Sequence, residues 1–237
     1  MTTGCDPAII YINLKTLYER NPYIMKKILA IILIAVMLVA FASCDPIELN
    51  PDANKPADTE APAEMDGPKV DDPYANKVNI KIDVKDFGVM TLELYPDLAP
   101  ITVENFLSYV DEGYYSGLTF HRIMKGFMIQ GGDGHGGEHA EIKGEFKENG
   151  YNNPLSHQKG VISMARTTVP DSATSQFFIC NADASLSLDG KYAAFGKLID
   201  GEDVLDAISD VEVTADARGE MSQPVQTVTI NNITRAD

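Results

Sequence analysis

Residues 120–133, Phe-His-Arg-Ile-Met-Lys-Gly-Phe-Met-Ile-Gln-Gly-Gly-Asp, gather the side chains in this chain best suited to chemistry. One cation, Arg122, lies among Phe120, Ile123, Phe127, Met128 and Ile129. If 127–130 is a strand, Met128 and Gln130 share a face, because side chains alternate with a period of two. Gly131 and Gly132 then allow a sharp turn or a close approach of backbone to ligand. An apolar floor beside a guanidinium and an amide suits a short peptide that carries a hydrophobic ring and a carbonyl. Taken alone, an arginine in an apolar run more often marks an ordinary strand with a surface cation.

A second stretch changes that balance. Residues 161–180 read Val-Ile-Ser-Met-Ala-Arg-Thr-Thr-Val-Pro-Asp-Ser-Ala-Thr-Ser-Gln-Phe-Phe-Ile-Cys, followed by Leu188-Asp189-Gly190-Lys191 and Phe195-Gly196. Together with Phe120-His121-Arg122, Phe127-Met128 and Gln130-Gly131-Gly132-Asp133, this ordered set resembles the cyclophilins, peptidyl-prolyl cis/trans isomerases, in their bacterial form. The likeness runs from roughly Val78 to the C-terminus, about two thirds of the chain.

The resemblance implies a mainly β fold, a closed antiparallel eight-stranded β-barrel capped by two α-helices. It also implies roles. Arg122 would be the catalytic guanidinium, with Gln130 hydrogen-bonding the substrate backbone. Phe127, Met128, Phe178 and Leu188 would form the proline pocket. Ala165 and Arg166 would pair with the peptide through their backbone, and Gln176 would line the far side of the groove. His121, the neighbour of Arg122, is expected to be a packed or solvated imidazole. Two departures stand out: Leu186-Ser187 replaces a tryptophan common in the family, and Tyr192 replaces a common histidine. Tyr192 can still stack and donate a hydrogen bond, so catalysis is expected to survive while cyclosporin binding weakens.

The implied reaction fits the residues. Rotation about an X-Pro bond meets a barrier of about 18–20 kcal/mol because it destroys amide resonance. No bond is made or broken, so no nucleophile, metal or cofactor is expected. The site need only favour the twisted amide over both planar forms. As the prolyl nitrogen pyramidalises its lone pair localises, and a cation or N–H donor in an apolar surround stabilises that state preferentially.

Other chemistries are poorly supported. Net charge is −16, which argues against a nucleic-acid or anionic-membrane surface. Cys5, Cys44 and Cys180 are too few and too scattered for a disulfide framework or a zinc site. Cys180, ending an apolar run, is expected to be a buried, inert thiol. His135 and His139, with Glu138 and Glu141 nearby, could ligate a metal on a helix, but the glycines of 131–137 make a solvated loop the better reading. Gly131-Gly132-Asp133-Gly134 lacks the Lys-Ser/Thr of a phosphate loop.

Upstream, residues 1–24 show no sustained periodicity and are expected to be an extension absent from the native protein. Residues 25–43 have the layout of a secretory signal: Met25-Lys26-Lys27, an apolar run from Ile28 to Ala42, then Ala42-Ser43-Cys44. They resemble a bacterial lipoprotein signal, with Cys44 lipidated. A membrane-spanning helix needs about 20 apolar residues, and this run supplies 15. Residues 44–76 are acidic and carry prolines at 46, 51, 56, 62, 68 and 73, the composition of a disordered tether. About 30 such residues span on the order of 30 Å.

Residues 77–237 carry the folded domain. Val78, Ile80, Ile82 and Val84 alternate with polar residues, and Met90, Leu92 and Leu94 do so after a turn at Asp86-Phe87-Gly88, which predicts a hairpin. Pro100 opens a helix with Val103, Phe106, Leu107 and Val110 on one stripe and Gly113 as its stop. A shorter helix follows Gly201 with Val204, Leu205 and Ile208 inward, and Val228 and Ile230 begin a closing strand. Periodicity alone gives a β-rich domain with two helices. The expected protein is an extracytoplasmic, membrane-anchored monomeric isomerase acting on proline-containing peptides and unfolded exported proteins. Its rival is a non-catalytic proline-peptide-binding module or holdase chaperone of the same fold.

Overall fold

Alternation builds the first hairpin. In β1 (Val78–Val84) Ile80, Ile82 and Val84 are buried, and in β2 (Gly88–Leu94) Met90, Leu92 and Leu94 are buried opposite them. The antiparallel register runs from Val78 against Leu94 to Val84 against Gly88. The tight turn between them puts Asp86 at φ 67°, the left-handed region that a short polar side chain tolerates. The structure, a computed structural model, describes residues 67, 68, 71–134, 136 and 140–236, all within the unit Pro62–Asp237. The extension, the signal-like segment, Cys44 and most of the proposed tether lie outside the described residues, as do His135, Glu138 and His139.

The remaining strands are β3 (Phe120–Met124), β4 (Met128–Gly131), β5 (Val161–Met164), β6 (Phe177–Cys180), β7 (Ala194–Asp200), β8 (Val213–Ala215), β9 (Met221–Pro224) and β10 (Ile230–Ala236). Eight of them form one sheet in the order β10-β1-β2-β7-β5-β6-β4-β3, while β8 and β9 make a separate hairpin. The sheet curls until its two edges approach. There Gly117 N–H donates to Ile230 O at 2.8 Å, Ile230 N–H to Leu118 O at 2.8 Å, and Phe120 N–H to Val228 O at 2.9 Å.

The architecture is therefore a curled eight-stranded sheet, a half-barrel, and the full closure implied by the resemblance is not what the strands show. Among the described residues no ladder runs between β3 and β10, only the bridge of Thr119 with Thr229. From Arg122 onward β3 faces the β8–β9 hairpin instead, which occupies the edge a closing strand would need.

Both expected helices lay their apolar faces on the one main core. Helix α1 (Pro100–Asp111) opens on Pro100, whose missing N–H costs nothing in the first turn. It ends in a Schellman pair, Tyr114 N–H to Tyr109 O at 3.0 Å and Gly113 N–H to Val110 O at 3.0 Å, with Gly113 at φ 69°. Its Phe106 ring meets Tyr115, Phe177 and Phe195 at 5.3, 5.4 and 5.2 Å between centroids. A one-turn helix, α2 (Ser185–Leu188), was not legible in the pattern; α3 (Glu202–Ser209) buries Val204, Leu205 and Ile208 as expected.

The first turn of α1 lacks a local side-chain cap. A carboxylate from 43 residues away replaces it: Glu145, fully buried, accepts Thr102 N–H at 2.8 Å and Thr102 Oγ at 2.6 Å, with Ile101 N–H at 3.2 Å. Burial pushes the Glu145 carboxyl above its ordinary range despite these donors. Removing the acceptor strands the buried N–H and hydroxyl of Thr102. Glu145→Ala is expected to cost about 2–3 kcal/mol of unfolding free energy, and Glu145→Gln, which keeps one acceptor, less; urea midpoints check both.

The described part of the chain begins upstream of the expected boundary at 77. A turn after Asp72 lays Tyr74 edge-on against Tyr95, 5.0 Å between centroids, and Asn76 bonds Asp97. The end of the proposed tether thus already touches the domain.

Candidate functional site

The face on which Arg122 emerges depends on an irregularity in β3. In a regular strand Phe120 and Arg122 would share a face. Here Phe120 pairs with Gly131 and Arg122 with Gln130, so two steps on β3 match one on β4. This bulge lets Phe120 enter the core while Arg122 emerges beside Gln130. Beyond it, alternation resumes and Ile123 is again fully buried.

Strands β4 and β6 sort their residues the same way. Ile129, Phe177 and Ile179 belong to the main core, whereas Met128, Phe178 and Cys180 face a second, smaller apolar cluster with Ala184 and Leu188. Phe127, Ala165 and Tyr192 pack at its margin. This cluster is the floor of an open cleft of about 710 Å³. Gly132, at φ 81°, closes the end of β4 where a Cβ would lie 2.7 Å from Ser175 O, a fit only glycine makes.

The ten residues expected to bind or act on the peptide all line this cleft: Arg122, Phe127, Met128, Gln130, Ala165, Arg166, Gln176, Phe178, Leu188 and Tyr192. His121 lines it too, half-buried, its imidazole held below its ordinary range by burial.

Polar contacts across the cleft run in one direction. Arg122 Nη1 points to Gln130 Oε1 at 3.4 Å and to Met128 Sδ at 3.8 Å. Gln130 Nε2 donates to Gln176 Oε1 at 2.9 Å, and Gln176 Nε2 donates to Asp133 Oδ1 at 3.1 Å. Since a guanidinium only donates and a carboxylate only accepts, the two amides between them have one orientation that satisfies both ends.

The opposite rim is built from residues outside every motif that marks the site. The β8–β9 hairpin brings Asp216, Arg218, Glu220, Ser222 and Gln223 to the cleft. Glu220 takes Arg122 in a two-point fork, Nε to Oε1 at 2.6 Å and Nη2 to Oε2 at 2.8 Å. The Arg122 hydrogen bond holds the Glu220 carboxyl down at about 2, so the pair stays ionised across the physiological range. The one local signal for it is the turn chemistry of Asp216-Ala217-Arg218-Gly219 after the β-branched Val211, Val213 and Thr214.

Arg166 spends its side chain on structure. It bonds Lys191 O through Nε at 3.0 Å and Nη2 at 2.7 Å, and its guanidinium lies 4.8 Å from the Phe146 ring and 4.7 Å from that of Tyr192. Tyr192, so pinned, stands edge-on to Phe178 at 5.6 Å.

Beneath Phe178 lies a chain that resembles a nucleophile, base and acid. His157 Nδ1 and Asp189 Oδ1 are 2.8 Å apart, and His157 Nε2 and Ser163 Oγ 3.0 Å. With Asp189 ionised, Nδ1 carries the proton and Ser163 donates to Nε2. Ser163 is 0 % exposed and His157 1 %, so no substrate carbonyl reaches them. The chain is structural: it ties Asp189, next to Leu188, to the ring stacked on Phe178. Cys180 is likewise sealed, its thiol pushed up to about 12 by burial. Among the described residues no group of three His, Cys, Asp or Glu could hold a metal ion.

Burial also holds His157 below its unfolded value of 6.5. Below that pH the unfolded chain binds a proton that the folded one refuses, so stability is present above 6.5 and falls as pH drops through it. The slope is at most about 1.4 kcal/mol per pH unit for one group. Urea midpoints between pH 7 and 5 should fall, and fall less in His157→Gln, with His121 supplying a residual slope.

Residues 78–235 match the family described as cyclophilin type peptidyl-prolyl cis-trans isomerase/CLD. The chain belongs to that family. Its activity is accordingly peptidyl-prolyl cis-trans isomerisation. Peptidyl-prolyl cis-trans isomerase B of Escherichia coli is 40 % identical over 156 residues, 62 % of this chain and 93 % of that protein. An Acinetobacter baylyi peptidyl-prolyl cis-trans isomerase is 42 % identical over 138 residues, 56 % and 73 % of the two lengths. The crystal structure of a Cryptosporidium parvum cyclophilin-type isomerase superposes with a TM-score of 0.59 at 30 % identity, covering 68 % of this chain and 99 % of that one. A second structure of that protein, in the presence of the dipeptide Ala-Pro, gives 0.58 at 31 %, with 67 % and 99 % covered. In this cyclophilin the cleft residues come from six separate stretches of chain, and only the fold brings them together.

Proposed function

We propose that this cyclophilin isomerises X-Pro bonds in exported polypeptides by stabilising the twisted amide, with Arg122 as the group that meets the prolyl nitrogen. The observation that carries the reading is the placement of Arg122 Nη1 over Met128 and beside Gln130, at the edge of the Phe178 and Leu188 pocket. The proline ring packs on that floor, Phe127 and Tyr192 flank it, and Gln130 bonds the peptide backbone. Ala165 and Arg166 offer their backbone to the peptide, and Gln176 bounds the groove. In this apolar surround an N–H donor acts on the lone pair more strongly than in water, and only once the amide has twisted. No covalent intermediate is involved. Each tenfold acceleration takes about 1.4 kcal/mol.

A protease-coupled assay on an Ala-Ala-Pro-Phe peptide tests this directly. One observation favours the rival, a proline-peptide-binding module or holdase: Glu220 offsets part of the charge of Arg122. Peptide binding without turnover would establish that rival. The absence of the common tryptophan, with Leu186 fully exposed in its region, supports the expectation of weak cyclosporin inhibition; a sub-micromolar inhibition constant would refute it.

The site of action follows from the sequence upstream of the fold. The signal-like run 25–43, Cys44 and the acidic tether favour a lipid-anchored protein outside the cytoplasmic membrane. Metabolic labelling with a fatty acid, lost in Cys44→Ala, is the expected result; unlabelled native protein would overturn the anchor.

A further inference from the structure

We propose that Glu220, on the β8–β9 hairpin, is a positioning residue that fixes the guanidinium plane of Arg122 and leaves Nη1 as the donor presented to substrate. The inference rests on the isomerase reading of the cleft and adds a residue to it. Arg122 has five N–H groups on three nitrogens. Glu220 takes the Nε and Nη2 edge in its two-point fork. Met124 Sδ stands 3.1 Å from Nη2 on the same side. Nη1 is the nitrogen left over, and it is the one directed at Met128 and Gln130. Its two contacts there are long, 3.8 and 3.4 Å, so its hydrogens are weakly committed and open to a better acceptor.

Arginine needs such a holder at this place. Its side chain is 25 % exposed, and beyond the bulge in β3 its tip meets only the flexible side chains of Met124, Met128 and Gln130 besides Glu220. A long, rotamer-rich side chain left free there would have to be ordered in every turnover. A carboxylate fork orders it beforehand, since two parallel bonds fix a plane where one would allow rotation.

The holder is itself held. Asp216 Oδ1 accepts Arg218 N–H at 2.8 Å and Glu220 N–H at 2.9 Å, and Asp216 N–H donates to Glu220 O at 2.8 Å. Gly219, at φ 86°, closes this five-residue loop by donating to Asp216 O at 3.0 Å. Arg218 pairs with Asp216 through Nε at 3.1 Å rather than competing for Glu220. The hairpin forms its own two-stranded sheet, and the Arg122–Glu220 fork joins its loop to β3.

A clamp that merely neutralised Arg122 would predict the opposite sign, so the experiment separates the two. In the full chain, Glu220→Gln is expected to lower kcat about tenfold, the equivalent of about 1.4 kcal/mol, with KM moving by less than about twofold. Glu220→Asp should recover part of the loss. In an Arg122→Ala background Glu220→Gln should do nothing further, as a double-mutant cycle requires of residues that act through each other. The Arg122 Nε–H resonance should also shift on Glu220→Gln. Unchanged or raised turnover in Glu220→Gln, or an equal loss in the Arg122→Ala background, would overturn the proposal. If the wild-type chain shows no turnover, the isomerase reading fails by itself, and an unmoved Nε–H resonance then overturns the positioning role separately.

Discussion

Arg122→Ala is expected to lower kcat/KM on a proline tetrapeptide by about 10²–10³, the range for losing one preorganised donor at a developing charge. The loss should fall on turnover, because the apolar floor of Met128, Phe178 and Leu188 that holds the proline ring remains. Arg122→Lys should recover little: an ammonium keeps the charge but neither forks onto Glu220 nor leaves a second nitrogen aimed at Met128. Both variants should keep their fold, since the side chain is partly exposed and its main partner, Glu220, is 32 % exposed and can turn to water. A protease-coupled assay beside a thermal melt checks both halves. Near wild-type activity in a folded Arg122→Ala protein would remove the guanidinium from the mechanism.

The largest effect on stability is expected at Phe106→Ala, about 3–5 kcal/mol by the cost of deleting a buried aromatic ring. Phe106 is fully buried and touches three other rings, two on β6 and β7 and one in the turn after α1, so its loss unpins α1 from the interior of the curled sheet. Against a typical total of about 5–15 kcal/mol this is a large share. Activity per folded molecule should change little, because the cleft floor is a separate apolar cluster that does not include Phe106. A urea titration at low temperature, with activity normalised to the folded fraction, reads both. A parallel loss of specific activity would mean that the two clusters are mechanically one.

Much of this was legible before any coordinates. The alternation of Ile80, Ile82 and Val84 against Met90, Leu92 and Leu94 is a local signal, and the hairpin forms in that register. Pro100 and Gly113 mark the ends of α1 because their backbones have restricted or unusual freedom, which no tertiary contact needs to supply. The ten cleft residues were found through ordered motifs, and they do line one cavity.

Three features had no local signal. The bulge that separates the faces of Phe120 and Arg122 exists only in the pairing of β3 with β4. The cap of α1 by Glu145 joins residues 43 apart, and the fork of Arg122 with Glu220 joins residues 98 apart. An isolated Glu in either place reads as a solvated charge, since its partner is chosen by chain folding and not by spacing. Closure of the sheet belongs here as well. Eight strands are what the family resemblance implies, but whether β3 and β10 zip together depends on what else competes for the β3 edge, and the hairpin does.

By itself, then, the order of residues determined the frame and named the kind of site. The hairpin and helices follow from backbone preference and period, which act over a few residues, while the floor residues and the cation are what the ordered family motifs imply. The tertiary structure alone decided how the cation is aimed, what holds it and how far the sheet closes. Each of these is a pairing between distant segments, and such a pairing has an energy only once the chain has brought them together.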